Sequence, residues 1–173
     1  MIIKLSGLLR TALERDSVDL VSLQDELSFV KEYLDLEKMR LGSRLKIEWR
    51  IPPATYGMLV PQMILQPLVE NAIRYGVSSA REGGWVAVAA GQKDGILEIQ
   101  VRNSVGSETS SGTGVGLRNT EARLKYLYSG DASVRLTVSE DRIATVSLTL
   151  PALNSQPARP GKHDGYTVPQ HLL

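Results

Sequence analysis

Apolar residues recur along this chain with two periods, near 3.6 and 2, and the periods divide it into helices and strands. Over residues 2–15, Ile2, Leu5, Leu9 and Ala12 share one helical face, and Ile3, Leu8 and Leu13 widen it. Val18, Asp19, Leu20 and Val21 read as a short extended piece. Ser22 then suits an N-cap, with Asp25 and Glu26 in a first turn whose dipole favours acids. Leu23, Leu27, Val30, Leu34 and Leu41 carry a core stripe as far as Gly42. Leu45, Ile47, Trp49 and Ile51 alternate with Lys46, Glu48 and Arg50, which predicts a half-buried strand ended by Pro52 and Pro53. Residues 60–76, VPQMILQPLVENAIRYG, predict one amphipathic helix. Val60-Pro61 is its start signal and Gly76 its stop; Leu65, Leu68, Val69, Ala72 and Ile73 form its buried face.

A small polar loop leads to Gly84. The next six residues, WVAVAA, predict a strand buried on both faces or nearly so, and Lys93-Asp94-Gly95 a hairpin turn. Leu97, Ile99 and Val101 oppose Glu98, Gln100 and Arg102 along the following strand. Residues 104–114, SVGSETSSGTG, have no period, and a loop of that length marks a lid or a disordered segment. A helix is predicted over 117–128, with Leu117, Leu124, Leu127 and Tyr128 apolar. Val134, Leu136 and Val138 start a last hairpin, Glu140-Asp141 turns it, and Val146, Leu148 and Leu150 complete it. Clean alternation puts one sheet face in the core and one in water, hence a largely antiparallel or mixed sheet. Helices over that single face give an α+β protein, a two-layer α/β sandwich. After Asn154, Pro157, Pro160, Gly161, Gly165 and Pro169 break any element, and this tail is expected to be disordered.

Composition narrows the classes. The chain has 173 residues, the size of one domain with extra at its ends. Lys and Arg number 20 against 19 Asp and Glu, with no basic run, which argues against a nucleic-acid surface. No cysteine is present, so disulfides and thiolate metal sites are excluded. No apolar stretch is long enough to span a bilayer and no signal-peptide pattern occurs, so this segment is expected to make no direct membrane contact.

Candidate chemistry lies on one edge of the 60–76 helix. Gln66, Glu70 and Arg74 are each four apart, and so are Asn71 and Tyr75, a spacing that shares a helix face. Asn71, Arg74 and Tyr75 offer an amide, a cation and a ring, which suit a metal ion, a phosphate and a nucleobase. The plainer alternative is a surface ion pair between Glu70 and Arg74, worth a few tenths of a kcal/mol, beside a solvated Asn71. The stretch GTGVGL (Gly112, Thr113, Gly114, Val115, Gly116 and Leu117) favours the first reading. Glycines let backbone amides approach phosphates, and the N-terminus of the following helix adds a favourable dipole.

LQPLVENAIRYG resembles the N box of the ATPase fold shared by DNA gyrase, MutL, a heat-shock chaperone and the sensor histidine kinases, the Bergerat fold. Within that group it is most similar to the LytS-type sensor histidine kinases, whose motif runs LQPLVENAIKHG. The resemblance extends from LSGLLRTAL to about Pro151, with several boxes in the family's order. It implies a mixed, mostly antiparallel sheet with helices on one face, ATP and Mg²⁺ as cofactors, and phosphoryl transfer to a histidine, then to a response regulator. It divides the chain into residues 1–16, a remnant of the dimerisation and histidine-acceptor region; 17–151, the ATP-binding catalytic domain; and 152–173, the tail. It also implies a homodimer through the helical region of the full-length kinase and a cytoplasmic location, as part of a membrane-anchored sensor. Residues 2–15 packed on their own domain remain the alternative.

Residue by residue, the resemblance makes Asn71 the metal ligand. Mg²⁺ takes oxygen ligands and needs few from the protein when phosphates supply the rest. Arg74 stands where the family usually has lysine, and its guanidinium can fork onto phosphate oxygens. Tyr75 stands where LytS-type proteins often have histidine, and its ring can lie against the nucleotide. Glu70 is a candidate catalytic residue, although the glutamate that orients a nucleophile in some relatives sits one turn earlier, where this chain has Pro67. VRNSVG resembles the first glycine box, VxDNGxG, and Gly106 keeps its last glycine, while one residue, a glycine, is missing. Asn103 replaces the aspartate that accepts from the adenine amino group. It keeps a carbonyl acceptor but loses the charge; charged hydrogen bonds are worth about 1.5–3 kcal/mol against about 1 for neutral ones, or around tenfold in affinity.

Residues 112–117 resemble the second glycine box. Asn119, Arg123 and Leu124 match the family's GLxNxxxRL run and read as structural. Thr145 matches a threonine on the last strand that often helps hold adenine. The reading that follows is the ATP-binding catalytic domain of a histidine kinase. Its rival is a nucleotide-binding regulatory module without kinase activity. A gyrase- or MutL-like clamp is disfavoured by Pro67. The two histidines, His163 and His171, lie in the Pro/Gly-broken tail, and the family's N-P-H-F-L-F-N acceptor run does not occur, so the chain is expected to bind ATP without phosphorylating itself.

Overall fold

Ser22 caps the first helix as its sequence predicts. Its hydroxyl accepts from the Asp25 amide at 3.1 Å, satisfying one of the donors a helix start leaves unpaired. The computed structural model describes residues 20–78, 80–105 and 115–154. The expectations for residues 2–15, for most of the 104–114 loop and for the tail lie outside the described residues. So do Gly106, Gly112, Thr113 and Gly114.

Strand β1 (Leu20–Ser22) leads into helix α1 (Leu23–Leu41), where Leu23, Leu27, Val30, Leu34 and Leu41 are all buried, the stripe its 3.6 period foretells. Strand β2 (Leu45–Arg50) follows. Its alternation fades outward: Leu45 is fully buried, but Trp49 is 38 % exposed, because β2 is an edge strand.

The expected single helix over residues 60–76 is corrected by the structure. Residues 59–61 form strand β3 (Leu59–Pro61), paired antiparallel with β1. Helix α2 begins only at Gln66, with Pro67 in its first turn in the role expected of Pro61. It runs through Gln66–Asn71 and continues as a wider π-helical segment over Ala72–Val77. Gly76 is therefore inside the last turn rather than a stop beyond it. It is a glycine because Asn103 and Ser104 press on it, where a Cβ would have no room.

Strand β4 (Gly84–Lys93) is longer than expected and forms a hairpin with β5 (Ile96–Ser104). Asp94 and Gly95 take φ of 51° and 76° at its two-residue turn, the left-handed pair that matches the twist of the strands. Helix α3 (Val115–Tyr128) precedes β6 (Ser133–Val138) and β7 (Ile143–Pro151). The main sheet has five strands in the order β2-β4-β5-β7-β6. Among the described residues only β2 and β4 pair in parallel, and the connection between them carries α2.

Helices α1, α2 and α3 cover one face. Leu97, Ile99 and Val101 of β5 point into it beside Val86, Val88, Leu148 and Leu150, and α2 brings Leu68, Val69, Ala72 and Ile73. Each such leucine or isoleucine contributes about 1.5–3 kcal/mol by leaving water. The opposite face carries Glu98, Gln100 and Arg102, with the Arg102 guanidinium 5.9 Å from the Trp85 ring centre. Leu136 and Val138, read from sequence as an alternating strand face, are 50 % and 61 % exposed because β6 is the other edge. The body runs past residue 151: the Leu153 carbonyl accepts from Leu59 at 2.8 Å. Among the described residues no helix is long and apolar enough to cross a membrane.

Candidate nucleotide site

Two close approaches bring separate stretches of the sequence together at the end of α2. Gly116, in the first turn of α3, lies against Asn71: a Cβ there would sit 3.2 Å from Asn71 Nδ2. Gly76, at the end of α2, lies against Asn103 on β5, where a Cβ would sit 2.3 Å from Nδ2. The end of α2 is thus wedged between the start of α3 and the end of β5. Asn71 is half-buried and Asn103 only 6 % exposed. Asn103 Nδ2 donates to the Ser104 carbonyl at 2.9 Å, which keeps the carbonyl oxygen of the amide as the acceptor it can offer a ligand.

Arg74 is exposed, with its guanidinium 5.3 Å from the centre of the half-buried Tyr75 ring. The stack holds cation and ring as one unit. Leu117 is half-buried beside Gly116. Thr120, buried one turn on, donates to the Gly116 carbonyl at 3.0 Å. Arg123 donates to the Gln62 carbonyl at 2.7 Å and Leu124 is buried, so these two matches to the family run are structural, as expected. A small cavity of about 70 Å³ lies between the first turn of α2 and α3, lined by Pro67, Gly116, Asn119 and Arg123 among others. A larger groove of about 440 Å³, between α1 and β2, shares no lining residue with it.

Two expected members are placed elsewhere. Thr145 pairs with Arg102 in the β5–β7 register, on the helix-free face of the sheet; Ala144 is the residue opposite Asn103. Alternation along a strand forbids both from reaching the same face. Glu70 accepts from Gln66 Nε2 at 2.8 Å instead of pairing with Arg74. It lies on the α1 side of α2: burial, with the charges of Glu37 and Glu70, pushes the Tyr33 hydroxyl up to about 12. Glu70 is therefore on a different flank of α2 from the Asn71–Gly116 contact.

Sequence reasoning missed Glu26, a buried carboxylate that accepts from Met63 and Leu65 just before α2. Its only signal was an acid in a first turn, which the helix dipole explains equally well. Among the described residues no group of three or more His, Cys, Asp or Glu could hold a metal ion. One amide oxygen, from Asn71, fits a hard cation that takes its other ligands from phosphates and water.

A family model described as histidine kinase matches residues 1–45. The sensor histidine kinase BtsS of Escherichia coli K12 is 32 % identical over 149 residues, covering 85 % of this chain and 26 % of the relative. The sensor protein LytS of Staphylococcus saprophyticus is also 32 % identical, over 170 residues, covering 89 % of this chain and 28 % of that protein. The chain belongs to the LytS-type sensor histidine kinase family. It spans about a quarter of the length of these curated relatives. The histidine kinase AdeS of Acinetobacter baumannii has the same fold, with a TM-score of 0.59 over 84 % of this chain and 73 % of that one at 13 % identity. The two-layer α+β architecture is thus that of histidine kinase catalytic domains.

Proposed function

We propose that this chain binds Mg²⁺·ATP between α2, α3 and the end of β5, and is the catalytic domain that delivers the γ-phosphoryl group to a histidine. The observation that carries the reading is the contact of Asn71 with Gly116, which sets a metal-ligand amide against a glycine in the first turn of a helix. Asn71 holds the cation by its side-chain oxygen, and the bound Mg²⁺ neutralises charge on the phosphates. The start of α3 presents backbone N–H groups and the positive end of a 14-residue helix to the phosphates. Asn103 accepts from the adenine amino group with its amide oxygen, and the Arg74–Tyr75 pair supplies a cation for phosphate oxygens and a ring for the nucleotide. Gly112, Thr113 and Gly114 belong to the same phosphate-binding stretch. Transfer of this kind depends mostly on positioning and charge stabilisation, which suits the residues gathered here.

The acceptor histidine comes from outside residues 20–154, and the phosphoryl group passes from it to an aspartate of a response regulator. The full-length kinase is a homodimer through its helical region, working on the cytoplasmic side of a membrane. Calorimetric titration with Mg²⁺ and a non-hydrolysable ATP analogue, followed by transfer from labelled ATP to an added acceptor-helix fragment of a related kinase, tests this. Binding with acid-labile label on the fragment is expected. Binding without transfer to any such fragment makes the chain a regulatory module; no binding ends the nucleotide reading.

A further inference from the structure

The helix carrying Asn71 starts from a turn that its own backbone closes with one hydrogen bond, from Ile64 N to the Pro61 carbonyl at 3.2 Å. Met63 has φ of 58°, a left-handed conformation unfavourable to a side chain. The amides of Met63 and Leu65 flank that bond and precede the helix. Glu26 of α1 accepts from both: Oε2 from Met63 N at 2.7 Å and Oε1 from Leu65 N at 3.1 Å. Glu26 is 1 % exposed, so it has been withdrawn from water for these bonds. From the other side Arg123 of α3 donates to the carbonyl of Gln62. Helices α1 and α3 therefore hold one short turn from two sides, α1 at Met63 and Leu65 and α3 at Gln62. Helix α3 is also the one whose first turn touches Asn71 through Gly116.

We propose that Glu26 is a positioning residue for the nucleotide site: its carboxylate fixes where α2 begins, and through that rigid helix sets Asn71 against Gly116. Asn71 lies six residues beyond Leu65, less than two helical turns, so a shift of the turn is carried to it almost undiminished. Both carboxylate oxygens are engaged, and this is a demand that an amide cannot meet, because glutamine has one acceptor and would turn its NH₂ against the second amide. A residue serving stability alone would more economically be apolar, with the turn rebuilt, since buried charge is a poor source of stability. The inference rests on the nucleotide reading above.

The test is the affinity of the 173-residue chain for Mg²⁺ with a non-hydrolysable ATP analogue, in three forms: unsubstituted, Glu26→Gln, and Leu34→Ala. Leu34 is fully buried in the same helix, and its truncation destabilises the fold while its apolar side chain has no hydrogen bond to residues 62–65 to lose. Glu26→Gln is expected to bind about tenfold more weakly, while Leu34→Ala, folded at the assay temperature, binds as the unsubstituted chain does. Glu26→Asp keeps the charge but retracts it by one methylene; it is expected to weaken binding too, and it replaces Glu26→Gln should the amide fail to fold. Binding within twofold of the unsubstituted chain by the folded Glu26 variant overturns the role of Glu26, and so does an equal loss in Leu34→Ala. Absence of binding by the unsubstituted chain overturns the nucleotide reading itself, an outcome distinct from both.

Discussion

Gly76 and Asn103 are in contact across the seam between α2 and β5, and the contact admits no side chain on Gly76. An added Cβ would lie 2.3 Å from Asn103 Nδ2 and 2.6 Å from the Ser104 backbone oxygen. The amide can turn aside, but the carbonyl belongs to a strand paired with β7 as far as Ser104 and cannot. Gly76→Ala is therefore expected to cost about 2 kcal/mol, or roughly 4–8 °C in Tm for a chain of this size. It also displaces the Asn103 amide proposed to meet adenine, so nucleotide affinity is expected to fall with stability. A thermal melt and a nucleotide titration read both; an unchanged Tm would show that the seam opens freely.

Asn71 should behave in the opposite way, losing function while keeping the fold. It is half-buried, on a helix whose apolar face is carried by Leu68, Val69, Ala72 and Ile73. Asn71→Ala removes the proposed oxygen ligand, leaves that face intact and exchanges a weak helix former for the best one. Stability is expected to stay within about 0.5 kcal/mol, with Mg²⁺-dependent ATP binding largely lost. Unchanged affinity by isothermal titration would mean that the metal is held elsewhere.

Where residues met neighbours in sequence, the pattern alone was enough to read them. The Ser22 cap, the stripe on α1, the Asp94-Gly95 hairpin and the alternation along β5 all arise from local spacing, and the structure has each. Where distant contacts decide, the pattern misled. Val60 and Pro61 continue an apolar run and look like a helix start, yet they pair with Leu20 and Val21, forty residues away. Trp49, Leu136 and Val138 alternate as core residues do, but they sit on edge strands beyond the cover of the helices. Asn71 and Asn103 were legible as candidate site residues because each lies in a recognisable run. Ala144, rather than Thr145, faces the Asn103 side because β5 and β7 pair in one register, and no local pattern distinguishes that register from its neighbour.

Gly116 separates stability from binding at a single atom. A Cβ there would stand 3.2 Å from Asn71 Nδ2, close enough to push the amide without disrupting backbone. In the first turn of a helix alanine is preferred to glycine by up to about 1 kcal/mol. Gly116→Ala is therefore expected to leave Tm equal or slightly higher while weakening Mg²⁺·ATP binding severalfold, and Gly116→Val, with its larger branched side chain, to abolish binding. If Gly116→Ala bound nucleotide normally, the Asn71–Gly116 contact would be incidental to the site.

The pH dependence of Glu26 should set stability and binding against each other. Burial raises its pKa above the ordinary carboxylate value, and the backbone N–H groups of residues 63–65 and the charge of Arg123 only partly oppose this. Arg123 is the charged group facing it from α3, and residues 62–65 carry no ionisable side chain. Because the folded pKa lies above the unfolded one, the folded state binds the proton more tightly. The contribution to stability is then fully present below the unfolded value of 4.5 and is lost as pH rises through the folded one. The stability of the unsubstituted chain minus that of Glu26→Gln should therefore fall as pH rises from about 4.5 and level off above the folded pKa. Binding should run the other way, since the protonated carboxyl gives up an acceptor to one of the two amides and loosens the turn before α2. Denaturant melts and nucleotide titrations of both proteins across this pH range measure the two slopes. A stability difference that rises with pH would contradict the raised pKa, and binding that tracks stability in the same direction would reduce Glu26 to a purely structural residue.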